Sequence, residues 1–489
     1  MKSSLKRECL RVLQEVFRLP SYRPGQKEAV HALLSGRDVL CVLPTGAGKS
    51  LCWQIPAVIS KRTTIVVSPL IALMRDQVQH LNACGIPAEA LDSLMTPEER
   101  EEAISRIRSG AVRIVFVSPE RLLQQKFRRL CLQLSPGMIV IDEAHCVVQW
   151  GEKFRPSYAE IPAFVSSLPV RPVICALTAT ADGRMQRSIM KQVGMRRPKR
   201  VMLPVVRENL IYQVCTTLDR TRELLRICGG DQGKTVIFCR TRSRAEYLAQ
   251  MIRQRGIASA CYHAGLDREE RLAVQQRFAD GMLQILCATT AFGMGVDIPD
   301  IRRIIHDELP EHVYDYAQQT GRAGRDGLQS ECIVLLEPNA LIRRSSFRSY
   351  SKNPVVRWRE TNRYVRQTEK LLQILLSSRC IPGALAATFG TPAEACGHCS
   401  ACRHGRLVGH APRYSGRRPR DLRLWILLWQ RKKLAELRGC MPREIISDQA
   451  LNTAAGKLVF PVGSTAPEEM ERLLAHFRRY GLNRDGGED

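Results

Sequence analysis

A chain of 489 residues is too long for a single hydrophobic core, and 44% hydrophobic with 25% charged residues excludes a disordered or fibrous protein. The formal net charge of +26 calls for a polyanionic partner, either nucleic acid or an anionic membrane surface. The membrane is the weaker choice, because no apolar run approaches the ~18 residues that span a bilayer and residues 1–10 have no signal-peptide core. Without a secretion signal, most of the 18 cysteines read as small buried hydrophobes in a reducing compartment, and a cytoplasmic protein is expected.

Residues 5–19 have helical periodicity, with Leu5, Cys9, Val12, Leu13, Val16 and Phe17 on one side. Tyr22-Arg23-Pro24-Gly25-Gln26 follows. A glutamine amide here can pair with the edge of an adenine, although a turn beside a proline is the commoner use of such residues. An apolar run (Val39, Leu40, Cys41, Val42) then leads into Leu43-Pro44-Thr45-Gly46-Ala47-Gly48-Lys49-Ser50, and Leu51 to Ile59 reads as a helix. Strand, glycine-bearing loop and helix start make a phosphate cradle, in which backbone N–H groups from Thr45 to Gly48 approach an anion at the positive end of the helix dipole. Lys49 can reach the β- and γ-phosphates of ATP, and Ser50 can offer its hydroxyl to Mg²⁺. Leu43 stands where the strict motif has glycine, so this stretch alone leaves a plain glycine-rich turn as the alternative.

Short apolar runs alternate with amphipathic segments after the loop, at Thr64–Ser68, Arg113–Ser118, Met138–Asp142 and Val173–Leu177. That alternation predicts an α/β fold with a parallel sheet, and ligands bind beyond the carboxyl ends of such strands. Asp142-Glu143-Ala144-His145 and Thr178-Ala179-Thr180 fall there. Asp142 can hold Mg²⁺ through water opposite Lys49 and Ser50, and Glu143 can polarise the attacking water. A second α/β block starts near residue 206, with runs at Thr235–Cys239, Ala258–Tyr262, Gln284–Ala288 and Arg303–His306. It has no phosphate loop and ends in Gln318-Gln319-Thr320-Gly321-Arg322-Ala323-Gly324-Arg325-Asp326-Gly327. Arg322 and Arg325 can clamp a transferring phosphoryl group, an effect of about 10³–10⁵ in rate where arginine fingers operate; a basic surface turn is the alternative.

Residues 341–376 are helical in pattern and crowded with cations such as Arg343, Arg344, Arg348 and Lys352, a candidate phosphate track. Cys380, Cys396, Cys399 and Cys402 can close a tetrahedral zinc site. An iron–sulfur site would want another cysteine soon after Cys402 with a proline beside it, and Arg403-His404-Gly405 follows instead. His398 and His404 are the possible substitutes for Cys380. Residues 403–420 form a linker rich in Arg, Gly and Pro, and from 421 a helical segment carries Leu424, Trp425, Leu428 and Trp429 at helix spacing.

In order, Arg23-Pro24-Gly25-Gln26, the phosphate loop, Asp142 to His145, Thr178 to Thr180, Phe292-Gly293-Met294-Gly295 and Gln318 to Gly327 resemble the motifs of superfamily 2 helicases, in which Leu43 is unremarkable. Cys146 to Gly151 followed by Phe154-Arg155-Pro156, together with Tyr262-His263-Ala264-Gly265, is similar to RecQ DNA helicases. The resemblance runs from about residue 5 to 402. It implies two RecA-like parallel-sheet lobes (1–205 and 206–340) with ATP in the cleft between them, and a helical zinc-binding module (341–408) in which Cys380 is the solitary first ligand. A basic linker (409–420) and a small helical domain similar to HRDC modules (421–489) complete the chain; about twenty residues after Cys402 leave no room for the winged helix common in the family. By the same resemblance Gln26 reads adenine with support from Arg23, and Gly295 and Asp297 meet the nucleotide from the second lobe. Arg322 and Arg325 are the fingers, while His145, Gln318 and the Thr178–Thr180 segment couple hydrolysis to lobe movement. Trp150 and Phe154 offer faces for base stacking, at about 1–3 kcal/mol per base, and Arg155 adds charge for the DNA backbone.

The implied activity is ATP-dependent 3′→5′ unwinding of DNA in repair, recombination and replication, with ATP, Mg²⁺ and Zn²⁺ as cofactors. An ATP-driven translocase or strand-annealing protein with little processive unwinding is the alternative. The implied partners are single-stranded and tailed duplex DNA, single-strand-binding and other repair proteins, and no membrane; a monomer is expected, nucleoid-associated if bacterial. Glu152-Lys153 replaces the family's usual His-Asp, Gln319 replaces a glutamate and Ile298 a common lysine. These departures predict weaker stimulation of ATP turnover by DNA. Turnover measured with and without single-stranded DNA checks this, and the strong stimulation usual in the family would refute it.

Overall fold

The computed structural model describes residues 3–69, 71–149, 156–217, 219–230, 233–293, 298–337, 366–376, 379–391, 394–404 and 408–409, and parts of the tail between 426 and 480. The chain divides into two compact units, one built on residues up to Val206 and the other mainly on residues from Arg207 onward.

In the first unit, seven short strands form one parallel sheet: β1 (Val39–Val42), β2 (Thr64–Val67), β3 (Ala88–Leu91), β4 (Ile114–Val117), β5 (Met138–Ile141), β6 (Val173–Thr178) and β7 (Lys199–Met202). Their order is β3-β4-β2-β5-β6-β1-β7. The inner strands are runs of Val, Ile, Leu and Cys buried on both faces, as a parallel sheet covered by helices requires. Helix α1 (Ser3–Arg11) continues as a π-helical turn over Val12–Val16, so the periodic stretch read as one helix changes its winding midway. Its buried Cys9, Val12 and Leu13 pack with Val30 of α2 (Gln26–Leu34) and Ile55 of α3 (Leu51–Ile59). The edge strands β3 (Ala-Glu-Ala-Leu) and β7 (Lys-Arg-Val-Met) lack an apolar run, which is why periodicity does not reveal them.

The second unit repeats the architecture with β8 (Leu210–Thr216), β9 (Lys234–Phe238), β10 (Ser259–Tyr262), β11 (Ile285–Ala288), β12 (Ile301–His306), β13 (Ser330–Leu336) and the two-residue β14 (Val408–Gly409). The order β10-β11-β9-β12-β13-β8-β14 is the same permutation as in the first sheet, again parallel throughout. The outer edge of β8 is closed by the cysteine-rich segment. Val214 N–H donates to Ser400 Oγ (3.2 Å), His398 Nε2–H donates to the Leu210 carbonyl (3.4 Å), and β14 pairs with Cys215 and Thr216. Residues 366–376 and Ile381–Thr388 are helical, and the tail contributes helices Pro442–Ile445, Asp448–Lys457 and Glu468–Tyr480. Among the described residues no helix is long and apolar enough to cross a membrane.

Buried carboxylates brace both units. Asp38 accepts from Arg171 Nη1 and Nη2 (3.1 and 2.6 Å) and from the backbone N–H groups of Ile174 (2.9 Å) and Arg196 (2.7 Å). Asp307, fully buried after β12, accepts from Arg244 Nε and Nη2 (2.9 and 2.7 Å) and lies 3.5 Å from Arg220. Removing one partner of a buried pair strands the other charge, so Asp307→Ala should destabilise the second unit by about 3–5 kcal/mol. Urea unfolding followed by circular dichroism measures the loss.

Candidate active site and metal cluster

The carboxyl ends of β1, β6 and β5 lie side by side, with Val42 in register with Thr178 and Ile141 with Ala176. The loop from Leu43 to Ser50 leaves β1 by donating Leu43 N–H to the Thr178 carbonyl (3.0 Å). Gly46 and Gly48 take φ of +84° and +72°, left-handed values that suit glycine. At Gly48 a Cβ would also meet Gln26 Nε2 at 2.5 Å. Lys49 Nζ donates back to the Leu43 carbonyl (3.4 Å), and Ser50 stands at the N-cap of α3 without using its hydroxyl as a cap. The curled loop, the lysine and this hydroxyl fit a triphosphate with its Mg²⁺.

Gln26 and Arg23 reach this loop from the preceding segment. Gln26 Nε2 donates to the Ala47 and Gly48 carbonyls (3.1 and 3.0 Å), its Oε1 accepts from Arg23 N–H (2.8 Å), and Arg23 Nη1 donates to the Gly46 carbonyl. Both amide protons of Gln26 are thus engaged by the loop, leaving the second lone pair of Oε1 as its remaining capacity for a base. Tyr22, Arg23, Pro24, Gly25, Lys27, Glu28 and His31 line an adjoining recess of about 520 Å³.

The acidic pair follows β5. Asp142 N–H bonds to Val67 (2.9 Å) and Ala144 N–H to Leu177 (2.7 Å), so the turn is tied to both neighbouring strands. Glu143 sits at φ +45°, an uncommon value for a non-glycine residue and a form of backbone strain that clusters at functional sites. Burial first, then the charge of Glu143, push the Asp142 carboxyl up to about 6, with Lys49 opposing. A bound divalent cation would favour its ionised form. His145 Nδ1 lies 3.1 Å from Thr178 Oγ1 and 3.2 Å from Glu143 Oε2, and its Nε2 is 3.6 Å from Cys146 Sγ. Burial alone would lower this imidazole; the Cys146 and Glu143 side chains outweigh it and raise it to about 10. One ring thus joins the acidic pair to the Thr178–Thr180 segment.

In the second unit the helix Val313–Thr320 carries Gln318 and leads into the turn bearing buried Arg322 and half-buried Arg325. Gln319, one of the departures from the family pattern, points into the core, where its Oε1 accepts from His306 Nε2–H (2.8 Å). Burial drives that imidazole down to about 4, so it is neutral and a neutral glutamine suits it. Ile298 is likewise buried. Glu152 and Lys153, the DNA-contact candidates Trp150, Phe154 and Arg155, and the nucleotide candidates Gly295 and Asp297 lie outside the described residues, as do Arg343, Arg344, Arg348 and Lys352. Sequence reading missed Arg207 and Asn209, whose side chains donate to carbonyls of the Gly321–Leu328 segment more than a hundred residues away; no local pattern signals such pairings.

The four cysteines singled out in the sequence converge. The sulfurs of Cys380, Cys396, Cys399 and Cys402 all lie within 4.8 Å of one another, so neither His398 nor His404 is needed as a substitute. A zinc–sulfur tetrahedron has edges of about 3.8 Å, within reach of this spacing. Backbone N–H groups already point at the sulfurs, Cys396 N to Cys380 Sγ at 3.2 Å and Cys399 N to Cys396 Sγ at 3.3 Å. Burial raises the thiols of Cys380, Cys396 and Cys402, whereas at Cys399 backbone N–H groups of Cys402 and Ile381 help bring the thiol below its ordinary value.

Residues 23–188 match the family model of DEAD/DEAH box helicases, and residues 217–327 match the helicase conserved C-terminal domain. Among solved structures, the DUF1998 helicase MrfA bound to DNA has the same fold over 69% of this chain and 52% of its own, with a TM-score of 0.59 and 20% identity. Dbp5 of S. cerevisiae, bound to RNA and ADP BeF3, covers 73% of this chain and 91% of its own at a TM-score of 0.55 and 18% identity. The class is therefore that of two-lobed superfamily 2 helicases. The ATP-dependent DNA helicase RecQ of Bacillus subtilis is 33% identical over 400 residues, 81% of this chain and 67% of that protein. RecQ of Synechocystis is 37% identical over 333 residues, 66% of this chain and 70% of its own length. The chain belongs to the RecQ family. It spans about half the length of other RecQ relatives: the match to Pasteurella multocida RecQ, at 39% identity, covers 53% of that protein.

Metal analysis of the purified protein should return one zinc per chain, and Cys399→Ala should lose it. A chelator strong enough to strip the zinc should lower the melting temperature of the wild type and leave that of the variant unchanged.

Proposed function

We propose that this protein is an ATP-dependent DNA helicase that moves 3′→5′ along single-stranded DNA and unwinds tailed duplexes in DNA repair and recombination. The observation that carries the reading is the set of bonds from Leu43 and His145 to Thr178 and from Ala144 to Leu177, which holds a phosphate loop, an acidic pair and the Thr178–Thr180 segment at the carboxyl ends of adjacent strands in a chain of the RecQ family. ATP supplies the phosphoryl group. Lys49 and the loop N–H groups bind the phosphates, while Ser50 and Asp142 would hold a Mg²⁺ ion, which would neutralise phosphate charge. Glu143 orients the attacking water, and His145 passes its state to Thr178. Arg322 and Arg325 stabilise the charge that develops as the phosphoryl group transfers, and Gln318, on the helix leading to them, joins that coupling. The net charge of +26 suits a DNA substrate, and a cytoplasmic location, nucleoid-associated if bacterial, is part of the same proposal.

Unwinding of a 3′-tailed fluorescent duplex tests this, with a 5′-tailed duplex as the polarity control. Lys49→Ala should reduce ATP turnover by at least about a hundredfold and abolish strand separation. Turnover without strand separation in the wild type would favour a translocase, and unwinding of the 5′-tailed duplex alone would overturn the polarity.

A further inference from the structure

We propose that Arg207 and Asn209 are positioning residues that hold the Arg322–Arg325 turn in the geometry its arginines need, an inference that rests on the phosphate-facing role given to those arginines above. Arg207 Nη1 donates to the Gly324 carbonyl (2.9 Å), and its Nη2 donates to the carbonyls of Gly321 (2.9 Å) and Ala323. Asn209 Nδ2 donates to Gly324 (2.9 Å) and Leu328 (2.8 Å). Two side chains therefore satisfy the carbonyls on both sides of Arg322 and the one immediately before Arg325.

These carbonyls lie just beyond the C-terminus of the helix Val313–Thr320, where a cation is favourable. The clamp has a fitted backbone. Gly324 takes φ +54°, and a Cβ there would come within 2.6 Å of Asn209 Nδ2 and of Ser330 Oγ. Elsewhere the turn is fixed by Gly324 N–H bonding to Ile301 (2.8 Å) and by Arg302 gripping both carboxylate oxygens of Asp326 (2.6 Å each). A guanidinium presents several donors in a rigid plane, which is what three converging carbonyls require; a lysine ammonium keeps the charge without that fork. Arg207 and Asn209 also stand within three residues of Val206, where the first compact unit ends. The finger turn is thereby fastened to the start of the second unit's chain rather than to a neighbouring surface loop.

The test compares ATP turnover in the presence of single-stranded DNA for wild type, Arg207→Lys, Asn209→Ala, Arg322→Ala and the double variant Arg207→Lys/Arg322→Ala. Arg207→Lys should lower kcat by about tenfold or more while KM for ATP changes by less than about threefold, since a misplacement near 1 Å can cost about a hundredfold. Asn209→Ala should act in the same direction less strongly, and it carries the test alone if Arg207→Lys does not fold. In the Arg322→Ala background, Arg207→Lys should cost less than it does in the wild type, because the part of its effect that runs through Arg322 is already lost. Arg322→Ala with unchanged kcat would sink the finger reading itself. A large loss in Arg322→Ala beside an unchanged kcat in both Arg207→Lys and Asn209→Ala, or fully multiplicative losses in the double variant, would overturn the clamp.

Discussion

The level endings of three parallel strands are the constraint on which the candidate chemistry depends. β5, β6 and β1 stop within two residues of one another in register, so the phosphate loop, the acidic turn and the Thr178–Thr180 segment meet although more than 130 residues separate the first from the last. The two cross-links that set this arrangement, Leu43 to Thr178 and Ala144 to Leu177, are extensions of the sheet's own hydrogen bonding beyond its last residues. A slip of one residue in β6 would turn Thr178 to the other face and remove the hydroxyl that His145 meets. Register, held by buried Val, Ile, Leu and Cys side chains, is therefore what converts a hydrophobic core into a chemical site.

The second sheet uses the same strand permutation for a different end. The place held by β1 in the first sheet is held by β8 in the second, and β8 ends in Thr216-Thr217 with no glycine loop after it. The arginines proposed to face phosphate in the second unit follow a helix instead, on a turn stiffened by Arg302–Asp326, by Gly324 and by the donors of Arg207 and Asn209. One topology thus presents backbone N–H groups in one copy and guanidinium groups in the other.

Much of this was legible from residue order because it is local. The loop before α3, the acids after an apolar run, the arginine turn and the cysteine spacing are each contained in a few consecutive residues, and the buried strands read as apolar runs. What escaped is non-local or masked by charge. The Lys-Arg pair in β7 hides a strand, and no periodicity links Arg207 to Gly324. Gln319 stands out in the sequence only as a departure from a family motif, and its bond to buried His306 in the core is not legible there. Sequence position next to Gln318 does not reveal which side of the helix a residue occupies.

The position of the cysteine cluster beside β8 has a consequence for the sheet edge. An open edge strand offers unpaired N–H and C=O groups to any passing chain, and such edges drive aggregation. Along β8 those groups are taken up at Leu210 by His398, at Val214 by Ser400, and at Cys215 and Thr216 by the short β14. Three of these partners flank or lie between the four sulfurs, so a metal bound there would fasten a cover over the sheet. Metal depletion would then act first on colloidal behaviour, exposing a strand that can recruit another copy of the protein while both α/β units remain folded.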